Sequence, residues 1–274
     1  MKRILIPTDF SKYADQAIEA GAQIAKKNNA EIVLIHMLEL PGQSNDAVTG
    51  ETSIPAIMLF KQKADEILKS IKDRPYLKGI PITEVILLDN VYKGIATYAN
   101  KNDIDLIVMG SHGSSGFEEI FIGTNTEKVV RLSNIPVLII KQEVDQLDIK
   151  KIVFASDFSK EIKKPFLELL KFAKIFNAKL KLVMICTPNS FKSTTAAEKI
   201  MKEFVAEFDM PDYSMETYND TNIEKGIINY ANAKNADLIA LCTHGRTALT
   251  HFFSGSISED LVNHTSRPVV TFKI

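Results

Sequence analysis

The chain repeats itself, and this repeat restricts the possible folds more than any other feature of the sequence. Asp-Phe-Ser-Lys at 9–12 recurs identically at 157–160, and Lys-Gly-Ile at 93–95 recurs at 225–227. The spacing between matched residues is 148 in the first case and 132 in the second. The sequence therefore predicts a tandem duplication. The second copy is shorter, because residues present in the first copy are missing between its second strand and residue 225.

A chain of 274 residues can hold one domain per copy. We predict a first domain over 1–143 and a shorter second domain over 149–274, joined by a polar linker. The net charge of −1 argues against nucleic acid as a partner. No apolar run approaches the roughly 20 residues that span a membrane, and two cysteines make no disulfide or zinc framework. We therefore expect a cytoplasmic protein without a membrane span.

Apolar runs alternate with helical periodicity in each copy. In the first copy we predict strands at 3–6, 31–36, 83–88, 105–109 and 136–140. Between them we predict helices at 12–27, 56–73, 91–101 and 125–132, and a loop over 39–57. This order predicts an α/β fold with two tandem open parallel five-stranded sheets, each flanked by helices on both faces.

A glycine loop follows the fourth predicted strand and indicates a ligand site. The loop Gly110-Ser-His-Gly113 is followed nine residues later by Gly123-Thr124, and a related pattern follows 132 residues on. Glycines let backbone N–H groups approach an anion, and the start of a helix adds partial positive charge. In open parallel sheets, ligands bind beyond the carboxyl ends of the strands. The loop therefore predicts phosphate binding at this edge.

Each neighbouring side chain has more than one interpretation. Asp9 could accept hydrogen bonds from a ribose or an adenine edge, or it could cap the following helix. His112 could donate to a phosphate, carry a proton or be an ordinary loop histidine. His36, at a strand end, is interpreted as structural. Neither loop has the G-x-x-x-x-G-K-[ST] form, and no G-x-S-x-G is present, so an efficient hydrolase is disfavoured.

The spacing G-x2-G-x9-G-[ST], together with the opening Ile4-Leu-Ile-Pro-Thr-Asp9, resembles the universal stress protein (UspA-like) family. The match covers nearly the whole chain twice, so the chain resembles a tandem member. The resemblance implies a Rossmann-like, adenine nucleotide alpha hydrolase-like fold that binds ATP or AMP. Mg²⁺ could accompany the phosphates. It also implies pairing of the two domains through their last strands as a pseudo-dimer. Further association into a homodimer is compatible with it.

The resemblance implies a set of nucleotide-binding residues in the first copy. They are Pro7, Thr8, Asp9, the backbone near Met37, Gly110, Gly113, Gly123 and Thr124. Independently of the resemblance, the backbone N–H groups of Ser111, His112, Gly113, Thr124 and Asn125 are predicted to hold the phosphates, and Met109 completes the candidate set. Weaker candidates in the second copy are Asp157, Gly245, Gly255 and Ser256. Cys242 stands where Gly110 stands, and we expect its Cβ to lie where the backbone should approach the ligand or adopt positive φ. We therefore predict nucleotide in the first domain and weaker or no binding in the second.

Three functions are compatible with this sequence. The favoured one is a nucleotide-binding sensor or regulator of the stress response, with no catalytic residue and no metal held by the protein. The second is a slow ATPase with His112 as proton carrier, which the missing nucleophile–base pair disfavours. The third is an interaction scaffold with vestigial sites, which the complete first glycine motif disfavours.

Overall fold

The computed structural model describes residues 1–39, 54–111, 123–142, 146–210, 212–243 and 264–274. These residues divide into two compact units, the first reaching Gln146 and the second beginning at Leu147. Each unit is a parallel α/β sheet with its own core. Among the described residues, no helix has both the length and the apolar character needed to cross a bilayer.

The first unit is a five-stranded parallel sheet. Its strands are β1 (Arg3–Pro7), β2 (Glu31–Leu38), β3 (Ile82–Leu88), β4 (Leu106–Gly110) and β5 (Val137–Ile140). Its helices are α1 (Lys12–Asn28), α2 (Ile54–Lys72), α3 (Val91–Lys101) and α4 (Thr124–Leu132). The strand order is β3-β2-β1-β4-β5, and the predicted open parallel sheet is confirmed. The predicted loop over 39–57 is too long at its carboxyl end, because α2 begins at Ile54.

The second unit repeats this arrangement. Its strands are β6 (Lys151–Ala155), β7 (Lys179–Cys186), β8 (Tyr213–Asn219), β9 (Leu238–Thr243) and β10 (Val269–Lys273). Its helices are α5 (Lys163–Phe176), α6 (Thr194–Val205) and α7 (Ile223–Ala233). The order is β10-β9-β6-β7-β8, with every pair parallel. The helix after the second strand is retained but shortened, with 12 residues in α6 against 19 in α2.

Burial explains why the central strands read as continuous apolar runs. Ile4, Leu5 and Ile6 of β1 are fully buried, since helices cover both faces of a parallel sheet. Helix α1 begins where the Ser11 hydroxyl accepts a hydrogen bond from the Ala14 N–H, and it ends at Asn29 in the left-handed conformation. The central strands are therefore packed on both faces, and their carboxyl ends form the edge at which a site can lie.

Candidate functional site

A cavity of about 290 Å³ lies at the carboxyl ends of β1, β2 and β4. The order β3-β2-β1-β4-β5 reverses direction between β1 and β4, which is where open parallel sheets form their ligand crevices. Nine of the predicted residues line the cavity: Pro7, Thr8, Asp9, Met37, Met109, Gly110, Gly123, Thr124 and Asn125. Sequence reasoning did not assign seven further lining residues to the site: Ala14, Ile35, His36, Glu39, Val91, Ile95 and Thr126.

The turn after β1 presents Asp9 to the cavity. The Thr8 hydroxyl accepts from the Phe10 N–H at 3.1 Å, and one Asp9 carboxylate oxygen accepts from the Ser11 N–H at 3.1 Å. These bonds hold Phe10 in the left-handed region, with φ 65°. Ser11, not Asp9, caps α1. The helix-cap interpretation of Asp9 is therefore wrong, since its carboxylate closes a turn at the rim of the cavity.

His36 holds this turn against β2. Its Nδ1 lies 2.8 Å from the Thr8 carbonyl oxygen, which can only accept, so Nδ1 is the donor. The ring of Phe10 stacks on the imidazole with 4.3 Å between the ring centroids. The structural interpretation of His36 agrees with these contacts, although the residue also lines the cavity.

The start of α4 forms the opposite wall. The Gly123 N–H donates to the Ser111 carbonyl at 2.6 Å, and the Thr126 hydroxyl donates to the Gly110 carbonyl at 3.0 Å. These bonds tie the start of α4 to the end of β4. The N-cap Gly123 makes no side-chain capping bond, whereas Ser11 and Asn90 cap α1 and α3. Within the described part of the chain, no N-cap side chain occupies the first-turn N–H groups of α4, an arrangement suited to an anion.

Ser111 does not take the role predicted for it. The residue is fully buried, and its backbone N–H donates to the Ile140 carbonyl at 2.9 Å. That N–H is engaged between β4 and β5, so the structure does not support a phosphate contact from it. His112 and Gly113 of the same loop lie outside the described residues, as do the second-copy candidates Gly245, Gly255 and Ser256.

Gly110 is required for packing. A Cβ built on it would lie 2.5 Å from the backbone oxygen of Tyr13 and 2.7 Å from its carbonyl carbon. The first turn of α1 therefore packs directly on the end of β4. Gly110 is not among the described residues with positive φ. Packing therefore accounts for this glycine, and the predicted positive φ is wrong, whereas the predicted approach of a ligand to its backbone stays a prediction.

The local structure of the second unit differs around the position of Cys242, which corresponds to Gly110. A 3-10 turn occupies Lys160–Ile162, and α5 begins only at Lys163, so the turn that packs on Gly110 has no α-helical counterpart. Cys242 is buried, and burial raises the pKa of its thiol, with a further contribution from the negative charge of Asp157. The thiol is thus kept neutral beside the residue that corresponds to Asp9.

The second unit brings corresponding residues together around far less space. Ser156, Asp157 and Ile185 line a cavity of about 20 Å³, which is on the order of one water molecule. The turn itself is preserved, because the Asp157 carboxylate accepts from the Ser159 N–H at 3.1 Å and Phe158 has φ 57°. In the described part of this unit, the turn is therefore kept, while the cavity beside Asp157 is small.

Two contacts near the cavity escaped sequence reasoning because they join distant segments. Glu39 directly follows β2, and its Oε1 accepts from the Val91 N–H at 3.0 Å and from Asn90 Nδ2 at 3.2 Å. Gly94 of α3 lies against the end of the Met37 side chain, where a Cβ would clash. The recurring Lys-Gly-Ile was the available signal for the second contact. No signal in the sequence marked Glu39.

The described residues contain no group of three or more His, Cys, Asp or Glu side chains arranged to hold a metal ion. Asp9 and Glu39 both line the cavity, so two carboxylates nevertheless lie within one site. The chemistry that the site offers is therefore hydrogen-bond acceptance at one wall and anion binding at the start of α4.

Comparison with known proteins identifies the family. The model of the universal stress protein family matches residues 1–141 and 215–273. A universal stress protein of Methanocaldococcus jannaschii is 31% identical over 147 residues, covering 52% of this chain and 82% of that protein. A universal stress protein of Synechocystis is 25% identical over 303 residues and covers both chains completely.

A solved structure extends the likeness to the fold of the whole chain. The crystal structure of a universal stress protein from Archaeoglobus fulgidus matches with a TM-score of 0.73 and 21% identity. It covers 99% of this chain and 96% of that one. The tandem architecture, the parallel sheets and the family match all agree, and the chain belongs to the universal stress protein family.

Proposed function

We propose that the first unit binds an adenine nucleotide, ATP or AMP, and that the protein acts as a sensor or regulator in the stress response. The observation that carries this proposal is the cavity of about 290 Å³ between the Asp9 turn and the start of α4. Its size is close to the lower end of the range for small-molecule pockets, about 300 Å³. Family membership supports the role in stress.

The phosphates would lie at the start of α4. Gly123 lets an anion approach the backbone closely, and Thr124 and Asn125 supply first-turn N–H groups at the positive end of the helix. The Thr124 hydroxyl is a further donor. Mg²⁺ would then be held mainly by the phosphates themselves.

The nucleoside would lie toward β1 and β2. Asp9 is exposed at the rim, where its carboxylate can accept hydrogen bonds from ribose hydroxyls or a base edge. Met37 and Ile95 are buried apolar residues of the cavity wall, suited to contact with a planar base. The Met37 backbone is the candidate partner for the adenine edge.

The proposal assigns binding to the first unit and weak or no binding to the second. The small cavity around Asp157 supports this asymmetry. Cytoplasmic location, pairing of the domains through their last strands and homodimerisation stay predictions of the sequence and the resemblance.

Mass spectrometry of ligand released from the purified protein, combined with calorimetric titration of ATP and AMP, tests the proposal. We expect about one nucleotide per chain. Asp9→Asn keeps the oxygen that accepts from the Ser11 N–H but removes the charge, so it should weaken binding about tenfold. Asp157→Asn changes the matching turn of the second unit and should leave affinity unchanged.

The outcomes separate the parts of the proposal. Two nucleotides per chain, or a loss of affinity in Asp157→Asn, would refute the asymmetry. If the wild-type protein neither carries nor binds ATP or AMP, the nucleotide-binding function is wrong and the scaffold interpretation gains support.

A further inference from the structure

The cavity wall of the first unit contains a carboxylate that the proposed function leaves without a role. Glu39 directly follows β2 and lines the same cavity as Met37, the candidate partner of the base. The Glu39 side chain is exposed, so a ligand in the cavity can reach it.

The start of α3 orients this carboxylate. Its Oε1 accepts from the Val91 N–H at 3.0 Å and from Asn90 Nδ2 at 3.2 Å. The Asn90 amide is itself held in this orientation, because its Oδ1 caps α3 by accepting from the Lys93 N–H. Oε1 is therefore committed to α3, and the described residues show no hydrogen-bond partner for Oε2.

We propose that Glu39 determines base specificity: its Oε2 accepts a hydrogen bond from the exocyclic amine of adenine. The inference rests on the proposed function. An ionised carboxylate can only accept. A base with a carbonyl oxygen in place of the amine would set two acceptors against each other, so the hydrogen bond made by the amine would be lost. Glu39 thus selects adenine over hypoxanthine or guanine, because the group at C6 donates a hydrogen bond in adenine and only accepts one in the other two bases.

The second unit has no carboxylate at the position that corresponds to Glu39. The residue that directly follows its second strand is Thr187, whose hydroxyl pairs with that of Ser190 at 2.8 Å. Thr187 is buried and carries no charge. It therefore provides a control position in the same chain.

Glu39→Gln reverses the proposed contact with almost no change in shape. Because the two α3 donors require an acceptor, the amide oxygen should remain at the position of Oε1, and the amide nitrogen should face the base. A donor then meets the adenine amine, whereas the same donor satisfies the carbonyl of hypoxanthine. The decisive quantity is the ratio of the dissociation constants for ITP and ATP. These nucleotides differ in the group at C6, a carbonyl against an amine, and in the hydrogen on the neighbouring N1.

We would titrate ATP and ITP into the full-length wild-type protein, Glu39→Gln and Thr187→Val. The wild type should bind ATP about tenfold more tightly than ITP, and Glu39→Gln should lower that ratio by about tenfold. Thr187→Val should retain the wild-type ratio. An unchanged ratio in Glu39→Gln, or equal weakening of both nucleotides, would overturn the inference while leaving nucleotide binding intact. If the wild type binds no ATP, the proposed function fails and the inference fails with it.

Discussion

Replacing Gly110 by Ala tests whether this glycine serves packing. The new Cβ would lie 2.5 Å from the Tyr13 backbone oxygen, so β4 and the first turn of α1 must separate by about 1 Å to restore an ordinary contact. Overpacking costs about 1–3 kcal/mol, and contact with backbone atoms favours the upper end. Replacing glycine by alanine in a strand returns about 0.5–1 kcal/mol. We therefore expect the free energy of unfolding to fall by about 2 kcal/mol.

Urea unfolding and calorimetry of the wild type and Gly110→Ala measure this loss, with an expected fall in Tm of about 4–8 °C. The two closest atoms belong to the Tyr13 backbone, so Gly110→Ala should cost as much in a Tyr13→Ala background as in the wild type. A change below about 0.5 kcal/mol would refute the packing argument, and rescue by Tyr13→Ala would show that the side chain causes the clash.

Three further predictions use the same structure. Gly94→Ala should change stability little, because its severe clash is with the flexible end of Met37, the contact with the Asp89 Cβ at 3.2 Å needs only a small shift, and alanine favours a helix. It should weaken ATP binding in a titration by displacing Met37 within the cavity wall, and unchanged affinity would contradict this. Ser11→Ala should lower the free energy of unfolding in urea by about 1 kcal/mol, whereas Ser159→Ala, at a position with no side-chain capping bond, should leave it almost unchanged. Equal losses in the two variants would refute the capping argument. Burial lowers the pKa of Lys141 to about 8, so between about pH 8 and pH 10.5 the unfolded chain binds more protons than the folded one, and the contribution of Lys141 to stability rises with pH. Lys141→Gln should remove that rise from the pH profile of the free energy of unfolding, and an unaltered profile would contradict the lowered pKa.

The repeated Asp-Phe-Ser shows how far a local pattern can be taken. Sequence comparison identified the repeat, and the structure shows why it recurs: in both units the aspartate closes the same turn, with the phenylalanine in the left-handed conformation. The identical residues therefore preserve a turn. The two turns are alike, but the cavities beside them differ in volume, with about 290 Å³ in the first unit and about 20 Å³ in the second.

Gly110, Ser111 and Glu39 mark where sequence reasoning reached its limit. The pattern correctly brought Gly110 to the edge of the cavity but did not reveal its packing role, because the packing of Tyr13 on it comes from a distant segment. Ser111 is adjacent in sequence, yet its N–H is used by Ile140. Glu39 fell in a predicted loop, and only its contact with Val91 and Asn90 revealed it.

The sequence by itself determined the duplication, the order of strands and helices and the parallel sheet, because apolar periodicity and turn residues act over a few neighbouring positions. It thereby determined which edge of the first sheet carries Asp9 and the start of α4. Only the tertiary structure decided which backbone donors near that edge remain available, which glycine is needed for packing, and how Glu39 is oriented. Those properties depend on contacts between segments far apart in the chain, and such contacts exist only after the sheet has assembled.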